Sequence, residues 1–177
     1  MTRASAVVGT GAAIASGLAV ALWLGGLVAL GAVTAPIVFA VAPMPQSADA
    51  MTLVFRRFDL IAMTCAAVVL ASEAARVIAR VPFRRLDHAR AAVGVLAAIV
   101  TTYEGMNVSP RIADLHIAGA VRGVGVAGVE LSRLHDTAEL CGKTAVLLLA
   151  GLVILQAAAA HTAAPSGRGR EDRAPVA

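Results

Sequence analysis

The sequence predicts an all-α fold, an integral membrane four-helix bundle with short amphipathic helices in its outer loop, on three observations. Hydrophobic residues make up 59% of the chain and charged ones only 15%, against roughly half and a quarter in soluble domains. A domain of 177 residues keeps much of its surface wet, so this apolar excess has no soluble core to hide in. Four apolar runs, near or above the ~20 residues that cross a hydrocarbon layer, alternate with charged segments. The arginines lie between those runs and form no block. The net charge of +4 therefore reads as membrane topology and argues against nucleic-acid binding.

The first run, Val7 to Val41, carries no charge. At ~1.5 Å per residue it exceeds a ~30 Å layer, so it must tilt, project or break. Pro36 is the natural kink, because it removes a backbone donor and crowds the preceding turn. Arg3 precedes the run, but no short apolar core with a clean cleavage site follows, which favours a retained helix. The four spans are placed at about 12–42, 59–79, 89–107 and 138–160. They make up one transmembrane domain over 1–162, and the Pro-, Gly- and Arg-rich segment 163–177 is expected to be a disordered cytoplasmic tail.

Within the second span, Glu73 and Arg76 stand three residues apart on one face and can pair, which lowers the cost of burying them. Of the 15 basic side chains, nine fall on the side shared by the N-terminus, the Arg80–Arg90 loop and the tail. That side is expected to be the cytoplasm of a bacterial inner membrane, with both termini there. The long outer connection, Val108 to Thr137, has apolar residues at roughly helical spacing, interrupted by Gly119, Gly123, Gly125 and Gly128. It reads as one or two short amphipathic helices on the membrane surface.

Gly25, Gly26 and Gly31 give the first span a smooth side for close helix packing, with Pro36 beyond them. Cys65 and Cys141 are too few for a disulfide framework or a zinc site, and Cys65 reads as a small buried hydrophobe. The topology brings Arg56, Arg57 and Asp59 to the same depth as Glu104, Asn107 and Arg111, at the outer end of the bundle. His135, Glu139 and Lys143 join them from the start of the fourth span, and Glu139 and Lys143 have ion-pair spacing. Ionisable groups at membrane depth are costly and often mark a pathway or a binding site. His116 and His135, with Met51, Met63 and Met106 near them, are the residues a metal would use, but no diagnostic ligand spacing is present. There is no phosphate loop and no nucleophile–base pair.

Leu22-Trp23-Leu24-Gly25-Gly26 followed by Ala35-Pro36-Ile37-Val38-Phe39 resembles the first helix of the bacterial domain-of-unknown-function family 4149, related to transmembrane protein 205. Val54-Phe55-Arg56-Arg57-Phe58-Asp59 looks like the start of that family's second helix. Asn107-Val108-Ser109-Pro110-Arg111-Ile112 and Arg133-Leu134-His135-Asp136 look like its features between helices three and four. The resemblance spans roughly residues 15–155 and implies a four-helix membrane protein without an assigned activity. A more distant resemblance runs to copper-resistance D-type membrane proteins and a haem-pathway oxidase, whose helix-embedded histidines this chain does not clearly supply.

The function expected is that of a non-enzymatic inner-membrane protein that binds or helps to move a small solute or metal ion through the outer polar cluster. The alternatives are a haem- or copper-binding redox protein using His135 or His116, and a structural subunit of a membrane assembly. The bilayer is the expected partner, with a homodimer or membrane-complex partner as a further expectation, and no nucleic acid.

Overall fold

A computed structural model describes residues 3–81 and 85–163. The tail expected to be disordered lies, from residue 164 on, outside the described residues, as do residues 82–84 of the basic loop. Among the described residues, four helical rods are long and apolar enough to cross a membrane: Arg3–Val41, Gln46–Ile78, Arg85–Ile117 and Gly125–His161. The first rod joins α1 (Arg3–Val28) to α2 (Ala35–Val41) through a π-helical turn, Ala29–Thr34. The second is α3 (Gln46–Ile78). The third joins α4 (Arg85–Tyr103) to α5 (Ser109–Ile117) through a second π turn, Glu104–Val108, and the fourth is α6 (Gly125–Ala163).

The rods run up and down in sequence and close a ring. α1 packs on α3, α3 on α4, α4 on α6, and α6 back on α1. We call the end bearing the 42–45 and 118–124 turns upper, and the end bearing residues 79–81 lower. The middle is filled by small side chains around a few large ones. Ala19, Ala62, Ala66, Ala97 and Ala98 surround Trp23, Phe58, Leu149 and Leu152, all buried. Alanines at these faces let backbones approach closely, which is how helices associate where lipid supplies no hydrophobic drive. Cys65 is buried in the same cluster as a free thiol. A smaller upper core joins Val108 and Ile112 to Leu131 and Leu134.

The prolines inside the first and third rods share one local solution. Pro36 and Pro110 each stand in the first turn of the helix that follows a π turn. A proline cannot donate to the carbonyl four residues back. The bonds shift to five, from Ala35 N–H to the Leu30 carbonyl and from Ser109 N–H to the Glu104 carbonyl. The irregularity expected at Pro36 is therefore the six-residue turn Ala29–Thr34 that precedes it.

The outer connection is shorter than its apolar spacing suggested. One short amphipathic helix, α5, occupies it and continues the third rod. The residues from Gly125 onward form no separate surface helix, because they are the first turns of α6. α5 ends where Gly119 takes φ +76, and the N–H groups of Gly119 and Ala120 return to His116 and Leu115. Gly128 permits the next contact, since a Cβ there would stand 2.1 Å from the Val121 carbonyl oxygen.

Of the three glycines expected to pack closely, Gly26 alone does so within the chain, where a Cβ would lie 2.2 Å from the Phe58 ring. At Gly25 and Gly31 an added Cβ meets nothing within 4 Å, so their smooth side faces open space. Gly26→Ala is thus expected to lose about 1–3 kcal/mol by overpacking against buried Phe58. Gly25→Ala should be neutral or gain up to about 1 kcal/mol from helix propensity. Unfolding by dodecyl sulfate in mixed micelles checks both, and equal effects of the two changes would refute this account.

Candidate functional site

Two polar regions interrupt the apolar bundle, one at each end, and they differ in whether their charges are satisfied. At the lower end, Glu73 and Arg76 on α3 face Asp87 and Arg90 on α4. Arg90 donates from Nε and Nη2 to the two Glu73 carboxylate oxygens, both at 3.0 Å. Arg76 donates from Nη2 to Asp87 at 2.7 Å, and Arg90 also lies 3.4 Å from Asp87. The four side chains are only 7–13% exposed. Two cations and two carboxylates cancel, and the bidentate geometry recovers much of the cost of removing them from water. Arg76 is 4.0 Å from Glu73 and 2.7 Å from Asp87, so the expected pair along one helix is present and the shorter contacts run between two.

Sequence reasoning missed this quartet, although a signal was present. Glu73-x-x-Arg76 and Asp87-x-x-Arg90 repeat one acid-x-x-Arg spacing on two helices joined by a short turn. Run antiparallel, the two pairs meet head to tail, acid against arginine. The quartet borders a crevice of about 640 Å³, closed across α1 and α6 by a 3.1 Å hydrogen bond from Gln156 to Ser16.

The upper end holds a larger cavity, about 880 Å³, with mainly apolar walls. Trp23 comes to it from α1, Arg56 and Asp59 from α3, and Glu104 from the second π turn. His116 lines it from α5, and His135, Glu139 and Lys143 from α6. Six of the nine residues expected to form a polar site therefore share one chamber. The other three do not line it. Arg57 is exposed, Asn107 donates to the Tyr103 carbonyl at 3.3 Å, and Arg111 pairs with Glu130.

Inside the chamber some charges are spoken for. Lys143 donates to Glu139 at 2.6 Å, the pair its spacing suggested, and Arg122 donates to Asp136 at 3.0 Å. Asp59 has Ser109 and Arg56 as polar neighbours, yet its Oδ2 is buried with no hydrogen-bond partner. The Trp23 indole N–H, on a fully buried ring, also has none. The rings of His116 and His135 meet edge to face at 5.8 Å between centroids, and His135 Nδ1 is 2.9 Å from the Leu131 carbonyl oxygen. Met51 lines the chamber, whereas Met106 is exposed. Among the described residues, no group of three or more His, Cys, Asp or Glu side chains is arranged to hold a metal.

A family model, the domain of unknown function DUF4149, matches residues 18–120, which run from α1 through α5. The chain belongs to the DUF4149 family. The match covers Trp23, Asp59, Glu104 and the whole lower quartet of this DUF4149 chain, while His135, Glu139 and Lys143 lie beyond it. Neither the curated proteins nor the solved structures gave a match.

The quartet makes a direct prediction. Arg90→Gln, which strands the Glu73 carboxylate in a buried setting, is expected to lose about 3 kcal/mol. Adding Glu73→Gln to it should recover most of that loss, because the uncompensated charge is gone. Mixed-micelle unfolding of the single and double variants decides it, and a double variant as unstable as the single one would refute the pairing.

Proposed function

We propose that this chain is a non-enzymatic, multi-pass protein of a bacterial inner membrane that binds, and helps to move, a small solute through its upper cavity. One observation carries the reading. A buried donor on Trp23 and a buried acceptor on Asp59 stand without partners in the wall of an apolar chamber. Buried polar groups are almost always satisfied, and orphaned ones call for an explanation. The chamber has the size of small-molecule sites, roughly 300–1,000 Å³, and their usual make-up of apolar walls with a few convergent polar groups. A solute that meets those groups satisfies them.

The orientation rests on charge. Nine of the 15 basic residues fall on the side of the lower end and the tail, which the positive-inside rule assigns to the cytoplasm. The cavity then opens toward the outer face. Alkaline phosphatase fused after residue 177 should be inactive, and fused at Gly123 it should be active. The reverse pattern would invert the topology.

Gly142 borders the cavity, and a Cβ there meets nothing within 4 Å. Gly142→Phe should therefore fill the chamber without disturbing α6. Protein purified in mild detergent and then denatured should release a small molecule near one equivalent by mass spectrometry, and the Gly142→Phe variant should release little or none. Identical extracts from both would overturn the solute-binding reading.

A further inference from the structure

We infer that the upper cavity takes an organic ammonium ion with an apolar body, set between Asp59 and Glu104 inside an aromatic wall. The inference rests on the solute-binding reading and names the class of solute. The chain contains one Trp, one Tyr and four Phe, and Trp23, Phe39, Phe55 and Phe58 all line this one cavity. Trp23 and Phe58 are its buried side and Phe39 its open one. So uneven a placement of scarce aromatic rings has a chemical meaning. Ring faces attract cations, most strongly where water is excluded, and aromatic enclosures suit alkylated ammonium groups.

The charges point the same way. The ionisable groups facing the cavity are Arg56 and Asp59 from α3, Glu104 from the π turn, and His116 from α5. Arg122 joins them from the turn, and His135, Glu139 and Lys143 from α6. Lys143 is paired with Glu139, and Arg122 with Asp136. Arg56 is left against two acids, Asp59 and Glu104, so the chamber has one carboxyl group more than the cations that face it.

An anionic solute would be repelled by that pair, and a neutral one would leave a carboxylate uncompensated in an apolar setting. A small metal ion needs several oxygen ligands, which phenyl walls do not offer. An ammonium group has three donors to share between Asp59, whose Oδ2 is unpartnered, and Glu104, while its hydrocarbon body meets the rings. The unpartnered indole N–H of fully buried Trp23 marks the same wall independently of the acids.

Trp23 is the chain's one tryptophan, so its emission reports on what fills the cavity. The test titrates the full chain in dodecyl maltoside, which has no ammonium group, with adamantylamine, adamantanol and adamantane carboxylate. The amine should give a saturable change, with the alcohol and the carboxylate at least about tenfold weaker. Asp59→Asn and Glu104→Gln should each weaken the amine about tenfold and leave the alcohol unchanged. If either variant fails to fold, the comparison of the three ligands on the unaltered chain decides alone.

Equal binding of amine and alcohol, or preference for the carboxylate, would overturn the ammonium assignment and leave solute binding standing. No response to any of the three would overturn both. Added phosphatidylethanolamine, compared with phosphatidylglycerol, tells the sources apart. Competition by the first lipid alone assigns the site to a lipid headgroup, and indifference to both assigns it to a free amine.

Discussion

The constraint behind this structure is that a backbone crossing an apolar layer must satisfy its own hydrogen bonds, since no water is there to do it. The rods are accordingly 33–39 residues long, longer than a ~30 Å layer requires, and they end in turns that recapture their last carbonyls. Arg80 at φ 51 and Gly119 close two such ends, with Val81 N–H returning to the Arg76 carbonyl and Ala120 N–H to Leu115. Where proline forbids the ordinary bond, the chain shifts to π geometry. Thr34 donates to the Ala29 carbonyl at 3.1 Å and Asn107 to Tyr103 at 3.3 Å, so each π turn also recruits a polar side chain.

The same accounting separates the two ends of the bundle. At the lower end every charge of the quartet has an opposite charge in reach, and the sum is zero. Such a network joins α3 to α4 and fixes which arginine meets which acid. A neutral network in which each charge faces an opposite one has little left to offer a ligand. At the upper end the pairs are incomplete. Asp59 and Trp23 keep unpartnered buried atoms, a state that costs free energy unless something not in the chain completes it. Burial alone does not distinguish the two regions; the difference is whether the charges balance.

Four membrane-crossing helices could be read from hydropathy because the solvent imposes the pattern residue by residue. Their ends could not. α3 begins at Gln46, thirteen residues before the expected start at 59, because Met51 and Ser47 are buried by packing at the upper end. α6 likewise takes in Gly125 to Thr137, whose apolar spacing and glycines read as part of a surface-lying outer connection. The polar cluster was legible as a common depth, since helix topology alone sets depth. Which members face inward was not, because that depends on helix rotation. Arg56 and Arg57 are adjacent in sequence, yet only Arg56 lines the cavity. The quartet is not legible from one helix alone: Glu73 and Arg76 pair by spacing on α3, and only the repeat of that spacing in Asp87 and Arg90 points across to α4.

The prolines connect the fold to the site. The Ala29–Thr34 turn supplies Gly31 and Ala32 to the upper cavity, and the Glu104–Val108 turn supplies Glu104. Both π turns thus border one chamber, although they lie on different rods and arise from different prolines. A π turn inserts an extra residue into the helical repeat and re-aims the side chains around it, which is why such turns recur at functional sites. Thr101, one turn before Glu104, lines the same chamber, and the extra residue of the turn shifts the register of α5 beyond it. Pro110 therefore acts at a distance of six residues. By forbidding one hydrogen bond it sets the rotation of α5 against α4, and His116 on α5 lines the wall that Glu104 lines from the turn.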